Sequence, residues 1–142
     1  MDQERNKANL MRLYTEVMND HRVDAADELI TADRPDHDPN LPPEFTQGRA
    51  GFKRLFTAFI AAFPDLRFDT ELMIAQDDVV ASYNTMQGTH RGEFMGIPAT
   101  GRSFKVLATD FCRFTDDGRI SEHWGVFDMG SMMRQLGVAA PT

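Results

Sequence analysis

Between Asn6 and Met18 the apolar positions Leu10, Leu13, Tyr14, Val17 and Met18 recur at three- and four-residue spacing, one face of a helix. Asn19-Asp20-His21 stops it, and a short helix follows from Asp24 to Ile30, with Asp24 placed to cap it and Ala25, Leu29 and Ile30 turned inward. Residues 33–48 hold Pro35, Pro39, Pro42 and Pro43, which predicts a loop with at most a short extended piece. From Gly48 to Phe63 the period is helical again. Phe52, Phe56, Phe59 and Phe63 fall at 4,3,4 spacing with Leu55 beside them, a thick aromatic ridge that needs a broad apolar partner.

Beyond Pro64-Asp65 the pattern becomes strand-like. Strands are expected over Leu66–Ile74, Val79–Thr89, Ser103–Phe114 and Arg119–Phe127, and one or two last helical turns over Ser131–Leu136, stopped by Gly137. Thr115-Asp116-Asp117-Gly118 marks the third and fourth strands as a hairpin. Helices first and consecutive antiparallel hairpins afterwards predict a single α+β domain over residues 1–142. Its helices collect on one face of a curved sheet, a cone able to hold a cavity.

Composition narrows what such a cone can do. The chain carries 15 Lys and Arg against 22 Asp and Glu, a net charge of −7, which argues against a nucleic-acid groove and against attraction to anionic lipid. The opening residues are polar and no apolar run approaches the ~18 residues of a membrane span, so a cytoplasmic location is expected. A single cysteine, Cys112, excludes an intrachain disulfide framework, and its mid-strand position suits packing more than nucleophilic chemistry. Asp36-His37-Asp38 packs three potential metal ligands together. Neighbours on an extended chain point to opposite sides, so at most Asp36 and Asp38 share a centre; the segment is read as a solvated acidic loop, with no metal. The chemistry must then run on carboxylates and imidazoles.

The hairpin of the third and fourth strands is the most informative place for it. One face of the third strand carries Phe104, Val106, Ala108, Asp110, Cys112 and Phe114, so Asp110 is the single charge in an apolar row. Burial there penalises its charged form unless it is paired. On the returning strand Ile120, Glu122, Trp124, Val126 and Asp128 share one face, and Ser121, His123, Gly125 and Phe127 the other. The turn leaves the register open by one residue: Asp110 faces His123 in one alignment and Trp124 in the next. Either pairing sets a carboxylate beside a group that tunes proton affinity, in a structural pair or in a proton-transfer role.

Phe63-Pro64-Asp65-Leu66, the run Gly88-Thr89-His90-x-Gly92-x-Phe94-x-Gly96-Ile97-Pro98-x-Thr100-Gly101-Arg102, Asp110-Phe111-Cys112-Arg113-Phe114, Asp117-Gly118-Arg119-Ile120-Ser121-Glu122-His123-Trp124 and Gln135-Leu136-Gly137 together resemble the SnoaL-like polyketide cyclase (ester cyclase) family. The resemblance implies the NTF2-like cone, a curved antiparallel sheet with three helices on one face, often dimeric through the sheet. It implies ring closure of a polyketide ester by aldol condensation, without metal or cofactor, using a carboxylate as general acid/base in an apolar pocket. Gly125 departs from the family, whose members often carry Asp there. Tyr14, Asp38-Pro39 and Asp110 are also similar in spacing to the ketosteroid isomerase constellation, where a Tyr and a protonated Asp bind an oxyanion and another Asp moves the proton.

The expected catalytic set is therefore Asp110 and His123, with Asp38 or His37 at the pocket mouth. Tyr14, Trp124, Phe52, Phe56 and Phe59 are expected to shape the pocket, with His90 and Asp128 as further contacts. Two functions stand at this point. One is a cofactor-free enzyme acting on a hydrophobic carbonyl compound through an enolate, as an aldol cyclase or an isomerase. The other is a non-catalytic module, on the same fold, that binds a small molecule or associates with a partner.

Overall fold

A computed structural model describes residues 2–138. Helix α1 (Gln3–Arg12) begins where the Asp2 carboxylate accepts the Arg5 N–H at 2.9 Å, and it runs on into a wider π-helical segment, Leu13–Asn19. The extra residue per turn brings the two pairs Leu13-Tyr14 and Val17-Met18 inward together. A 3₁₀ turn at Val23–Ala25 leads into the short α2 (Ala26–Leu29), and α3 spans Gly48–Ala62. The aromatic ridge of α3 is buried: Phe52, Phe56 and Phe59 stack along the helix at 4.8 and 5.6 Å between ring centroids.

Strands β1 (Arg67–Gln76), β2 (Val79–Thr89), β3 (Ser103–Phe114) and β4 (Ile120–Phe127) form one antiparallel sheet in sequence order, and α4 (Met129–Leu136) packs back against β3. The inner face turns Phe68, Val80, Met86, Phe104, Val106, Ala108, Cys112 and Phe114 toward the helices. The outer face leaves Leu72, Ile74, Tyr83, Leu107, Phe111 and Val126 exposed. The long connection from β2 to β3 is tied to the end of α3, where the Ala62 carbonyl accepts the Arg91 and Gly92 N–H groups. A Cβ on Gly92 would lie 2.6 Å from the Ala61 carbonyl oxygen, so only glycine permits that approach.

One feature differs from the sequence expectation, and it shapes the interior. The β3–β4 ladder pairs Asp110 with Gly125, Phe111 with Trp124 and Cys112 with His123, so neither expected register is present. A bulge at Ser121 shifts the parity, because Arg113 pairs with Glu122 while Phe114 pairs with Ile120. Ile120 therefore shares the inner face with His123, Gly125 and Phe127, and Trp124 turns outward. The proline-rich segment is a loop with a short extended piece, as its prolines predict, and that piece pairs with β4. Ile30 and Asp36 form parallel bridges to Ile120 and His123, through Thr31 N–H to Ile120 O at 2.9 Å, His123 N–H to Pro35 O at 3.1 Å and His37 N–H to His123 O at 2.9 Å. Pro35 needs no N–H at this edge; its carbonyl does the pairing.

Candidate functional site

The helices and the inner sheet face border a cavity. Leu10, Leu13, Leu55, Phe56, Phe59, Phe68, Met86 and Phe127 make its walls apolar, and Tyr14, Arg34, Asp36, Asp38, Asp110 and His123 form a polar wall at one end. Its free space is about 70 Å³, room for roughly five water molecules. A polycyclic ligand needs side chains at the mouth to move aside, since drug-sized pockets are on the order of 300 Å³ or more.

The polar wall is a continuous hydrogen-bonded chain. His123 sits on β4 with Nδ1 2.8 Å from an Asp36 carboxylate oxygen and Nε2 2.6 Å from Asp110 Oδ1. The other Asp110 oxygen accepts from the Tyr14 hydroxyl at 2.9 Å, and that hydroxyl is 2.7 Å from Ser82 Oγ. Asn84, fully buried on β2, joins Ser82 to this end through its amide at 3.0 Å, and its own oxygen accepts from Thr70. Asp36 also accepts the Asp38 N–H at 3.0 Å, and Asp38 Oδ1 accepts the Asn40 N–H at 2.8 Å. Arg34, 2% exposed, reaches Asp36 at 3.3 Å with its guanidinium over the Phe52 ring.

Electrostatics divides these groups into fixed and movable charges. Burial opposes a charge on His123, but the hydrogen bonds and charges of Asp110 and Asp36 outweigh it and raise its pKa to about 9. At neutral pH His123 is an imidazolium donating from both nitrogens. Burial also works against ionised Asp36, yet His123 and Arg34 hold its carboxyl below the usual range. For Asp38 burial wins. It pushes the carboxyl up to about 6 against the Asn40 N–H, and the negative charge of Asp36 adds to the rise. Burial likewise pushes the Tyr14 hydroxyl well above its ordinary range, with Asp110 adding to the effect, so it stays a donor. The Cys112 thiol, buried on the same inner face, is pushed up too and stays protonated.

The fold thus gathers Asp110, His123, Asp38, Tyr14, Phe52, Phe56 and Phe59 around one cavity. The other four expected residues stand elsewhere. His37 alternates away from its neighbours: its ring bonds Glu122 at 2.9 Å and stacks on Trp124 at 5.3 Å, outside the cavity. Trp124 lies on the outer sheet face beneath Arg113, because the Ser121 bulge reverses its orientation. His90 is wholly buried between Thr100 and Phe63, where it ties the β2–β3 connection together. Asp128 caps α4 by accepting the Ser131 N–H at 3.0 Å. Conversely, the sequence reading left Arg34, Ser82 and Asn84 out and gave Asp36 no role beyond an acidic loop. Their signal was alternation: Arg34, Asp36 and Asp38 fall on one side of an extended chain.

Among the described residues no helix is long and apolar enough to cross a membrane. The model of the SnoaL-like polyketide cyclase family matches residues 8–136. Wild-type IdmH of Streptomyces antibioticus, named as a candidate polyketide cyclase, is 34% identical over 94% of this chain and 99% of its own, with a TM-score of 0.79. A candidate polyketide cyclase of Acidithiobacillus ferrooxidans is 28% identical over 95% and 96% (TM-score 0.79). AclR of Streptomyces galilaeus, named as a candidate hydroxylase, is 26% identical over 96% and 98% (TM-score 0.82). No curated protein matches the chain. A family match spanning nearly the whole chain, on a helix-covered antiparallel sheet with an apolar cavity, makes this protein a member of the SnoaL-like polyketide cyclase family.

Proposed function

We propose that the protein is a cofactor-independent acid/base enzyme that forms and stabilises an enolate of a hydrophobic carbonyl compound, leading to aldol cyclisation or isomerisation. The observation that carries this reading is the contrast on the polar wall between a fixed imidazolium and a carboxyl poised near neutrality. Asp38, with a pKa of about 6, is the group that removes and returns the proton. Its Oδ1 is held by Asn40, which orients the carboxylate without fixing a counter-charge on it. His123 donates to Asp110 and Asp36 and Tyr14 donates to Asp110, so these groups form a fixed frame beside Asp38 that does not reorganise while the proton moves. Phe52, Phe56 and Phe59 exclude water from the enolate.

The test is hydrogen–deuterium exchange at the α-carbon of small ketones and β-keto esters in D₂O, followed by NMR. Asp38→Asn should lower the exchange rate by about 10²-fold or more. Wild-type exchange in Asp38→Asn, or no exchange by the native protein on any such compound, refutes the assignment. We also propose that a second copy docks on the outer sheet face. Support comes from exposed apolar positions that cluster on that face: Leu72 pairs with Tyr83, Ile74 and Phe111 flank Ala81, and Leu107 lies diagonal to Val126.

A further inference from the structure

Among the described residues Arg34 is a buried cation with few acceptors. It is 2% exposed and lines the cavity, yet among the described residues its only hydrogen-bond acceptor is Asp36, at 3.3 Å. Charge-assisted N–H···O bonds are normally about 2.7–2.9 Å. Its Nε is buried with no partner at all. A guanidinium has five N–H donors, and a buried one is kept only where acceptors meet them.

The neighbouring carboxylates are already committed. Asp36 gives its other oxygen to His123 and to the Asp38 N–H, so one anion serves two cations. Asp110 is taken by His123 and Tyr14. The Phe52 ring lies against the guanidinium carbon at 5.3 Å, which fixes the plane of the fork without supplying an acceptor. Among the described residues no further acceptor reaches the guanidinium, and the cavity that Arg34 lines is where a ligand would supply one.

We infer that Arg34 anchors a carboxylate on an otherwise apolar ligand, so that the substrate class is a hydrophobic acid that also carries an enolisable carbonyl. A carboxylate matches the planar fork with two parallel oxygens, which a ketone or an ester carbonyl does not offer. Arg34 and Asp38 stand on alternate positions of the same segment with Asp36 between them. The anchor and the proton-moving group therefore act on two ends of one bound molecule. This inference rests on the reading of the cavity as a ligand site made above.

Isothermal titration calorimetry with benzoate and 2-naphthoate, each against its methyl ester, tests it in the native protein, in Arg34→Gln and in Arg34→Lys. The native protein should bind each acid about tenfold or more tighter than its ester. Arg34→Gln should bring the acid down to the ester's affinity, and Arg34→Lys should keep part of the preference. Equal binding of acid and ester by the native protein, binding of neither, or a preference that survives Arg34→Gln overturns the inference. Should Arg34→Gln not fold, the acid-against-ester comparison in the native protein still decides, with the Arg34 Nε–H NMR signal expected to shift on adding the acid and not the ester. The two readings fail separately. An acid preference without α-proton exchange supports the anchor and refutes the acid/base assignment; exchange on neutral ketones without acid preference refutes the anchor alone.

Discussion

Gly125→Ala tests the site with a single methyl group. Gly125 lies directly across the ladder from Asp110, and the His123–Asp110 hydrogen bond passes over it. A Cβ there would sit 2.6 Å from His123 Cε1, 2.7 Å from Nε2 and 2.8 Å from Asp110 Oδ1. Ordinary van der Waals contact begins near 3.4 Å, so the pair must separate by several tenths of an ångström and lose its 2.6 Å bond. The backbone of Gly125 is not in the left-handed region, so the strand itself accepts alanine. The rise of the His123 pKa from 6.5 to about 9 is worth about 3 kcal/mol. Asp36 and Asp110 bond the imidazole at 2.8 and 2.6 Å, and together they outweigh the burial that opposes its charge, so loss of either lets burial pull the pKa back down. Removing the Asp110 bond should lower the His123 pKa by about one unit or more and cost about 1–2 kcal/mol of stability at neutral pH. An NMR titration of the imidazole signals reads the first quantity, with His123→Gln assigning the resonance among the four histidines, and urea unfolding reads the second. A folded Gly125→Ala protein whose His123 still titrates near 9 would falsify the claim that this glycine makes room for the pair.

Other expectations follow from the same wall. Because the folded-state pKa of His123 is raised, the stability it contributes is fully present below about pH 6.5 and is lost as pH rises through about 9. Urea midpoints measured from pH 6 to 10 should fall across that interval, and a flat profile contradicts the assignment. Any α-proton exchange should rise with pH through about 6 as Asp38 ionises and fall above about 9 as His123 deprotonates, giving a bell whose acidic limb disappears in Asp38→Asn. Tyr14→Phe removes the hydroxyl shared by Asp110 and Ser82 and should cost about 1–3 kcal/mol in unfolding free energy, with a neutral result refuting the hydrogen-bond chain. Phe111→Glu, on the exposed outer face, should convert the expected dimer to monomer in light scattering at unchanged fold; identical masses for native and variant protein refute docking on that face.

What the sequence made legible, and what it hid, separates along one physical line. The aromatic ridge of α3 and the hairpin turn at Asp117-Gly118 are set by local periodicity and turn chemistry, so the helix-covered antiparallel sheet could be read directly. Asp110 announced itself as a charge in an apolar row, with His123 in one register and Trp124 in the other as its neighbour across the hairpin. The way they meet was not legible, because one extra residue at Ser121 reverses the parity of β4 and no local pattern marks it. That one bulge turns Trp124 out and leaves Gly125 opposite Asp110. The departure at Gly125 had looked like the loss of a carboxylate. In the folded chain Asp110 and His123 occupy the space above that position, so an aspartate there would have to displace the pair. The partner of the proline-rich segment was hidden for the same reason. Four prolines in residues 33–48 predict a loop with at most a short extended piece, and that piece, Pro35 and Asp36, pairs with β4 through groups that proline leaves intact. Once that segment is extended, its alternation sends Arg34, Asp36 and Asp38 inward and His37 outward. The polar wall is therefore built where a non-local strand pairing meets a bulge. Composition marks neither event, whereas burial of charge makes both visible in the structure.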